Sequence, residues 1–234
     1  MAALAWVYIV ELGRMMSPQS AMAMPMPGDA AAPQLGYLIP MWVIMMVAMM
    51  VPSAAPMILL FAGVVRRRRA AGIPTASAAV FTLGYLLVWS LYAIIAAAAQ
   101  WKLHRLALLS PAMASASPWL GGGLLVLAGV YQWLPFKGAC LSHCRSPLHF
   151  FSDHWREGSL GALLMGMRHG SYCVGCCWAL MALLFVAGVM NLLWVAAIAI
   201  FVLAEKLVPR GLELGRAAGV LMVIWGVWIV VARG

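Results

Sequence analysis

Nine of the ten thiol and imidazole side chains in this chain of 234 residues lie between positions 140 and 177. They read Cys140-Leu-Ser-His143-Cys144, then His149 and His154, then His169-Gly-Ser-Tyr-Cys173-Val-Gly-Cys176-Cys177. Uniform scatter would put about one or two of them there, so a shared chemical task is a simpler account than packing, even though buried cysteine is an ordinary core residue. Thiolates favour Cu(I); thiolate with imidazole also satisfies Zn(II), whereas Mg, Ca and Mn want oxygen. Copper is therefore the favoured ion, with zinc second. At about 100° per residue, one continuous helix would present His169, Cys173, Cys176 and Cys177 within an arc of about 100°. Gly170 and Gly175 are the points where that helix would loosen. Cys140 and Cys144, four apart, align if locally helical. The spacing thus predicts one tetrahedral-type centre built from a loop and the head of a helix, with Cys140, His143, Cys144, His169, Cys173, Cys176 and Cys177 as candidate ligands.

The methionines extend this reading. Met45, Met46, Met49 and Met50 recur at helical spacing, and Met22, Met24 and Met26 alternate as they would on an extended segment. Both sets could present thioethers to Cu(I) for transfer. Methionine is also a flexible core filler, so helix packing competes for the first set and plain linker for the second. His149 and His154, beside Phe150, Phe151 and Trp155, read as an interfacial amphipathic segment, and His104 as interfacial decoration.

The elements that must position these groups follow from composition. The chain is 65% hydrophobic and 9% charged, far from the roughly 25% charged residues of a soluble domain, which makes it an integral membrane protein of all-α class. Its net charge of +9 suggests nucleic acid until the basic residues are placed. They fall between apolar runs as topology determinants, so no nucleic-acid partner is expected; six acidic residues and the absence of a phosphate loop argue against nucleotide chemistry. With about 20 apolar residues needed per span, candidates lie at 36–64, 76–99, 119–136 and 217–232, with 172–207 divided near Gly188 to Asn191 into two helices. Ala2 to Val10 reads as a first helix rather than a signal peptide, despite Ala21-Met22-Ala23, giving about seven spans.

Orientation follows from lysine and arginine. Arg66 to Arg69, Lys137, Arg145, Arg156, Arg168, Lys206, Arg210 and Arg216 thread to one side; Arg14, Lys102, Arg105 and Arg233 thread to the other. The excess marks the cytoplasmic face. The N-terminus is then cytoplasmic, the C-terminus external, 17–35 an external Met/Pro-rich loop and 137–159 a cytoplasmic Cys/His-rich loop within one membrane domain, residues 1–234. Glu205 and Lys206 end a span at the cytoplasmic boundary, where Lys206 is expected to snorkel to the interface; pairing with Arg168 or proton movement is the alternative for Glu205 to plain interfacial placement. Gln132 and Asn191 read as interhelical hydrogen-bonding residues, and Trp225 and Trp228 as a lipid belt or partner surface.

Taken together, Trp42-x-x-Met45-Met46-x-x-Met49-Met50-x-Pro52-x-x-x-Pro56, Tyr131-Gln132-x-x-Pro135-x-Lys137-x-x-Cys140-Leu-x-x-Cys144-Arg145-x-Pro147, Gly170-x-x-Cys173-x-Gly175-Cys176-Cys177-Trp178-x-Leu180-Met181 and Gly188-Val189-Met190-Asn191-Leu192 before Glu205-Lys206 resemble the bacterial family of predicted metal-binding integral membrane proteins. The resemblance covers Pro40 to Lys206. It implies a seven-helix or similar membrane fold, a bacterial inner-membrane location and a bound metal.

Three functions fit these residues. The first is copper handling, as carrier or as accessory subunit to a copper enzyme, with cytoplasmic thiols kept reduced. The second is a membrane thiol-disulfide oxidoreductase exchanging Cys140/Cys144 with Cys173/Cys176, disfavoured because charge bias puts these thiols inside. The third is a non-catalytic structural subunit of a larger membrane complex. Cys177 stands where a haem c site would need histidine, which disfavours that cofactor.

Overall fold

The computed structural model describes residues 2–15, 35–73, 75–110 and 113–234. These form α1 (Ala2–Met15), α2 (Leu35–Ala70), α3 (Ala78–Arg105), α4 (Pro118–Tyr131), α5 (Pro135–Arg145), α6 (Pro147–His154), α7 (Gly158–Ala182), the single turn α8 (Leu184–Ala187), α9 (Leu192–Leu207) and α10 (Gly211–Arg233). Met22, Met24 and Met26 lie outside the described residues.

Four stretches are long and apolar enough to cross a membrane: α2, α3, Gly158–Ala187 and α10; a fifth is obtained if α4 and α5, bent by 67°, count as one. The expectation of seven spans is therefore not matched by helix length. At 1.5 Å per residue, α1 is about 21 Å long and α9 about 24 Å, short of a hydrocarbon core of about 30 Å. The span expected at 119–136 stops at Tyr131, because Pro135 cannot continue the helix and instead starts α5 at its first turn. The division near Gly188 to Asn191 is as expected: Gly188 has φ 98°, a conformation that glycine tolerates, and the Asn191 side chain accepts from the backbone N–H of Trp194 to cap α9. The segment expected as a loop at 137–159 is helical over most of its length, in α5 and α6.

Prolines shape α2. Pro52 has no N–H for the carbonyl of Ala48, and the Trp6 indole of α1 donates to that carbonyl at 3.0 Å. Elsewhere glycines let backbones touch. A Cβ at Gly129 would lie 2.6 Å from the Gly219 carbonyl, and one at Gly219 would lie 2.7 Å from that of Gly129; Gly122 and Gly226 repeat the arrangement one level along α4 and α10. The main core gathers α2, α3, α7 and α9 around Trp42, Met46, Met49, Trp89, Cys173 and Leu180. A second, aromatic core of Phe61, Phe81, Phe150 and Phe151 packs α6 onto α2, α3 and α7.

Candidate metal centre

Helix α7 runs unbroken through Gly170 and Gly175, so His169, Cys173, Cys176 and Cys177 share its inward side, and all four are buried. Helix α5 crosses it and adds Cys144. The Cys176 thiol lies 3.2 Å from that of Cys177 and 4.0 Å from that of Cys144, and the Cys144 and Cys177 thiols each interact also with Cys173. Cys140 does not join them: its sulfur packs against Gly175, where an added Cβ would lie 2.8 Å away. All five cysteines are free.

A polar ring closes around Cys173. The Lys206 ammonium donates to Cys173 Sγ at 3.0 Å and to Ser53 Oγ at 2.9 Å. Ser53 donates in turn to the Met50 carbonyl, which also accepts from the Tyr85 hydroxyl at 3.1 Å; that hydroxyl lies 3.1 Å from Cys173 Sγ. Helices α2, α3, α7 and α9 are thus tied together at the thiol. Lys206, expected to snorkel outward, is 6% exposed. Its neighbour Glu205 pairs at 2.6 Å with Lys137, not with Arg168, and Lys137 donates to Gln132 as well. Arg168 instead lies exposed on α7, reaching Tyr172. The reason is the bend at Pro135, which swings the start of α5 under α9 and brings Lys137 to the carboxylate. Gly215 leaves room for that carboxylate on α10.

The imidazoles divide. His169, one turn before Cys173, is caged by the rings of Tyr85, Phe81 and Phe150 at 5.5, 6.2 and 5.7 Å, and its Nδ1 has no hydrogen-bond partner. His143 turns away from the thiols: it stacks on Tyr172 at 4.4 Å and lines an outer cavity with His149. Among the described residues, no group of three or more His, Cys, Asp or Glu side chains is arranged to hold a metal ion as it stands. The four thiols are gathered, with the Lys206 ammonium on Cys173. Met45, Met46, Met49 and Met50 are all buried in the main core, and Met50 reaches the site through its carbonyl.

Lys206, Tyr85, Ser53 and Lys137 are the residues that spacing of ligands did not single out. One signal was available: an ionisable pair, Glu205-Lys206, closing an apolar helix is costly unless it is used.

No curated protein and no solved structure matches the chain. Residues 39–229 match the family model described as "PpoB2: Copper chaperone", and the chain belongs to that family.

Proposed function

We propose that this chain is a membrane-embedded chaperone for Cu(I), holding the ion on Cys144, Cys173, Cys176 and Cys177 for delivery to a copper enzyme. The observation that carries this reading is the convergence of four thiols from α5 and α7 in one buried place, in a chain whose family is described as a copper chaperone. Soft sulfur donors suit Cu(I) above zinc. A Cu(I) ion held by several thiolates leaves net negative charge, which Lys206 offsets from within 3.0 Å of Cys173. Tyr85 and Ser53 fix Cys173 and Lys206 in place before the ion arrives, so little reorganisation is needed on binding. In this reading the buried Met45, Met46, Met49 and Met50 of α2 serve as thioether transfer ligands.

In this reading the bundle lies in the bacterial inner membrane with Arg66 to Arg69 and α6 cytoplasmic, the N-terminus inside and the C-terminus outside, which requires α1, the bent α4–α5 pair and α9 to cross together with the four long apolar helices. The test is elemental analysis of detergent-purified protein. Stoichiometric copper in the wild type, lost in Cys173→Ser/Cys176→Ser, is expected. Copper content unchanged by those substitutions, or a disulfide that cycles with quinone in metal-free protein, overturns the reading.

A further inference from the structure

Outside the thiol cluster, where α5 meets α6, two imidazoles face one cavity of about 90 Å³ lined by Ser142, His143, Ser146, His149 and Phe150. Their Nδ1 atoms are both held by partners. His143 Nδ1 lies 2.8 Å from the Ala139 carbonyl, which can only accept, so Nδ1 is the donor there and Nε2 is the nitrogen left for a ligand. His149 Nδ1 lies 2.7 Å from Asp153 Oδ2, to which it donates, and its Nε2 is likewise left for a ligand. A metal-ligating histidine typically has its second nitrogen held by a backbone carbonyl or a carboxylate, which fixes the ring and raises its basicity. Both rings have that support before any ion is present.

The cavity is also adjacent to the site already described. Phe150 lines it, and the same ring meets His169 edge-on at 5.7 Å. His169 is 2% exposed, its Nδ1 has no partner, and it stands one helical turn from Cys173. Thiols, buried imidazole, the Phe150 ring with Tyr172 beside it and the outer imidazoles therefore follow one another from the interior to the surface.

We infer that His143 and His149 form a bis-imidazole transfer site for Cu(I), through which the ion leaves the thiols. The inference rests on the copper reading above for its cargo. Two imidazoles are enough for Cu(I), which is stable with two ligands in line, so the pair needs no third side chain. The exchange breaks Cu–S bonds and forms Cu–N bonds. The thiolates stay behind as thiolates, the ion keeps its charge, and no electron is gained or lost.

The experiment uses the full chain in detergent and the conservative surface variant His143→Gln/His149→Gln. Copper that co-purifies on the thiols is expected to be unchanged, while its withdrawal by a water-soluble Cu(I) chelator slows about tenfold or more, with Asp153→Asn slowing it in the same direction. Withdrawal at the wild-type rate overturns the proposal. A second measurement titrates silver(I), a redox-inert stand-in for Cu(I). Wild type takes up about one more equivalent than the double histidine variant, and the same difference persists between Cys173→Ser/Cys176→Ser chains with and without the histidines. Equal uptake overturns the histidine site. Failure of the thiol reading shows separately, as copper retention that ignores the cysteine substitutions while the silver difference stays.

Discussion

Lys206 carries its ammonium into the apolar interior and ends between Ser53 and Cys173, while the adjacent carboxylate of Glu205 is bonded to Lys137. An ammonium so placed draws its negative counterpart from sulfur: opposite unit charges about 4 Å apart attract by about 4 kcal/mol at an effective dielectric of about 20. Lys206→Met is therefore expected to lower copper retention about tenfold or more against a competing chelator, as loss of an outer-shell partner does at other metal sites. Lys206→Arg should recover part of it, since the guanidinium keeps the charge but not the compact shape. The Lys137–Glu205 pair makes a different prediction. Removing one partner leaves an unpaired buried charge, so Lys137→Met or Glu205→Gln should cost about 3–5 kcal/mol in thermal or denaturant unfolding, and Lys137→Met/Glu205→Leu should cost less than either. These lysines and their partners were only half legible in the sequence. Glu205-Lys206 stands out in an apolar helix, but Lys137 is 68 positions from Glu205, and only the bend at Pro135 makes them neighbours.

At the scale of elements, two devices hold helices together without apolar side chains. Trp6 satisfies the Ala48 carbonyl that Pro52 leaves open, so Trp6→Phe should loosen α1 from α2 at a cost of about 1 kcal/mol, measurable by hydrogen exchange across α1. Between α4 and α10, the reciprocal approach of Gly129 and Gly219 has no space for a larger residue, and Gly219→Leu should separate the pair and abolish cooperative unfolding. A third tie is electrostatic. The Trp155 indole and the Arg68 guanidinium both donate to Glu157, at 2.8 and 2.7 Å, and hold its carboxyl below the usual carboxylate range. A depressed carboxylate contributes stability above its unfolded value, about 4.3, and loses it as pH falls through the lower folded value. Trp155 fluorescence should report release of α7 from α2 in that acid window, and Glu157→Gln should remove the step.

For the whole molecule, the arrangement of charge and the position of the thiols make one statement. Arg66 to Arg69 end α2, Arg68 meets Glu157 at the start of α7, and Lys206 and Arg210 bracket the turn from α9 to α10. This end of the bundle also carries α6 and the aromatic core. Cysteine-accessibility labelling of engineered sites flanking α6 should give labelling from the cytoplasmic side only, and labelling of sites after Arg233 from the outside only. The reverse pattern would place the thiols on the oxidising side and revive disulfide exchange. The exposed outer face of α10, with Trp225 and Trp228 about half exposed, is available to lipid.

What the amino-acid sequence determined by itself is what depends on local periodicity and composition: the apolar helices, the break at Gly188 to Asn191, and the shared side of α7 that carries His169, Cys173, Cys176 and Cys177. Helical geometry places those four whatever the rest of the chain does. Tertiary structure alone decided which distant groups meet them. A bend at Pro135 sets the crossing of α5 on α7, so Cys144 reaches the thiols while Cys140 stops at Gly175 and His143 turns outward. The end of α9 delivers Lys206 to Cys173 rather than to the surface. Such meetings depend on crossing angles and close backbone approach between helices far apart in sequence, which no spacing along one segment encodes.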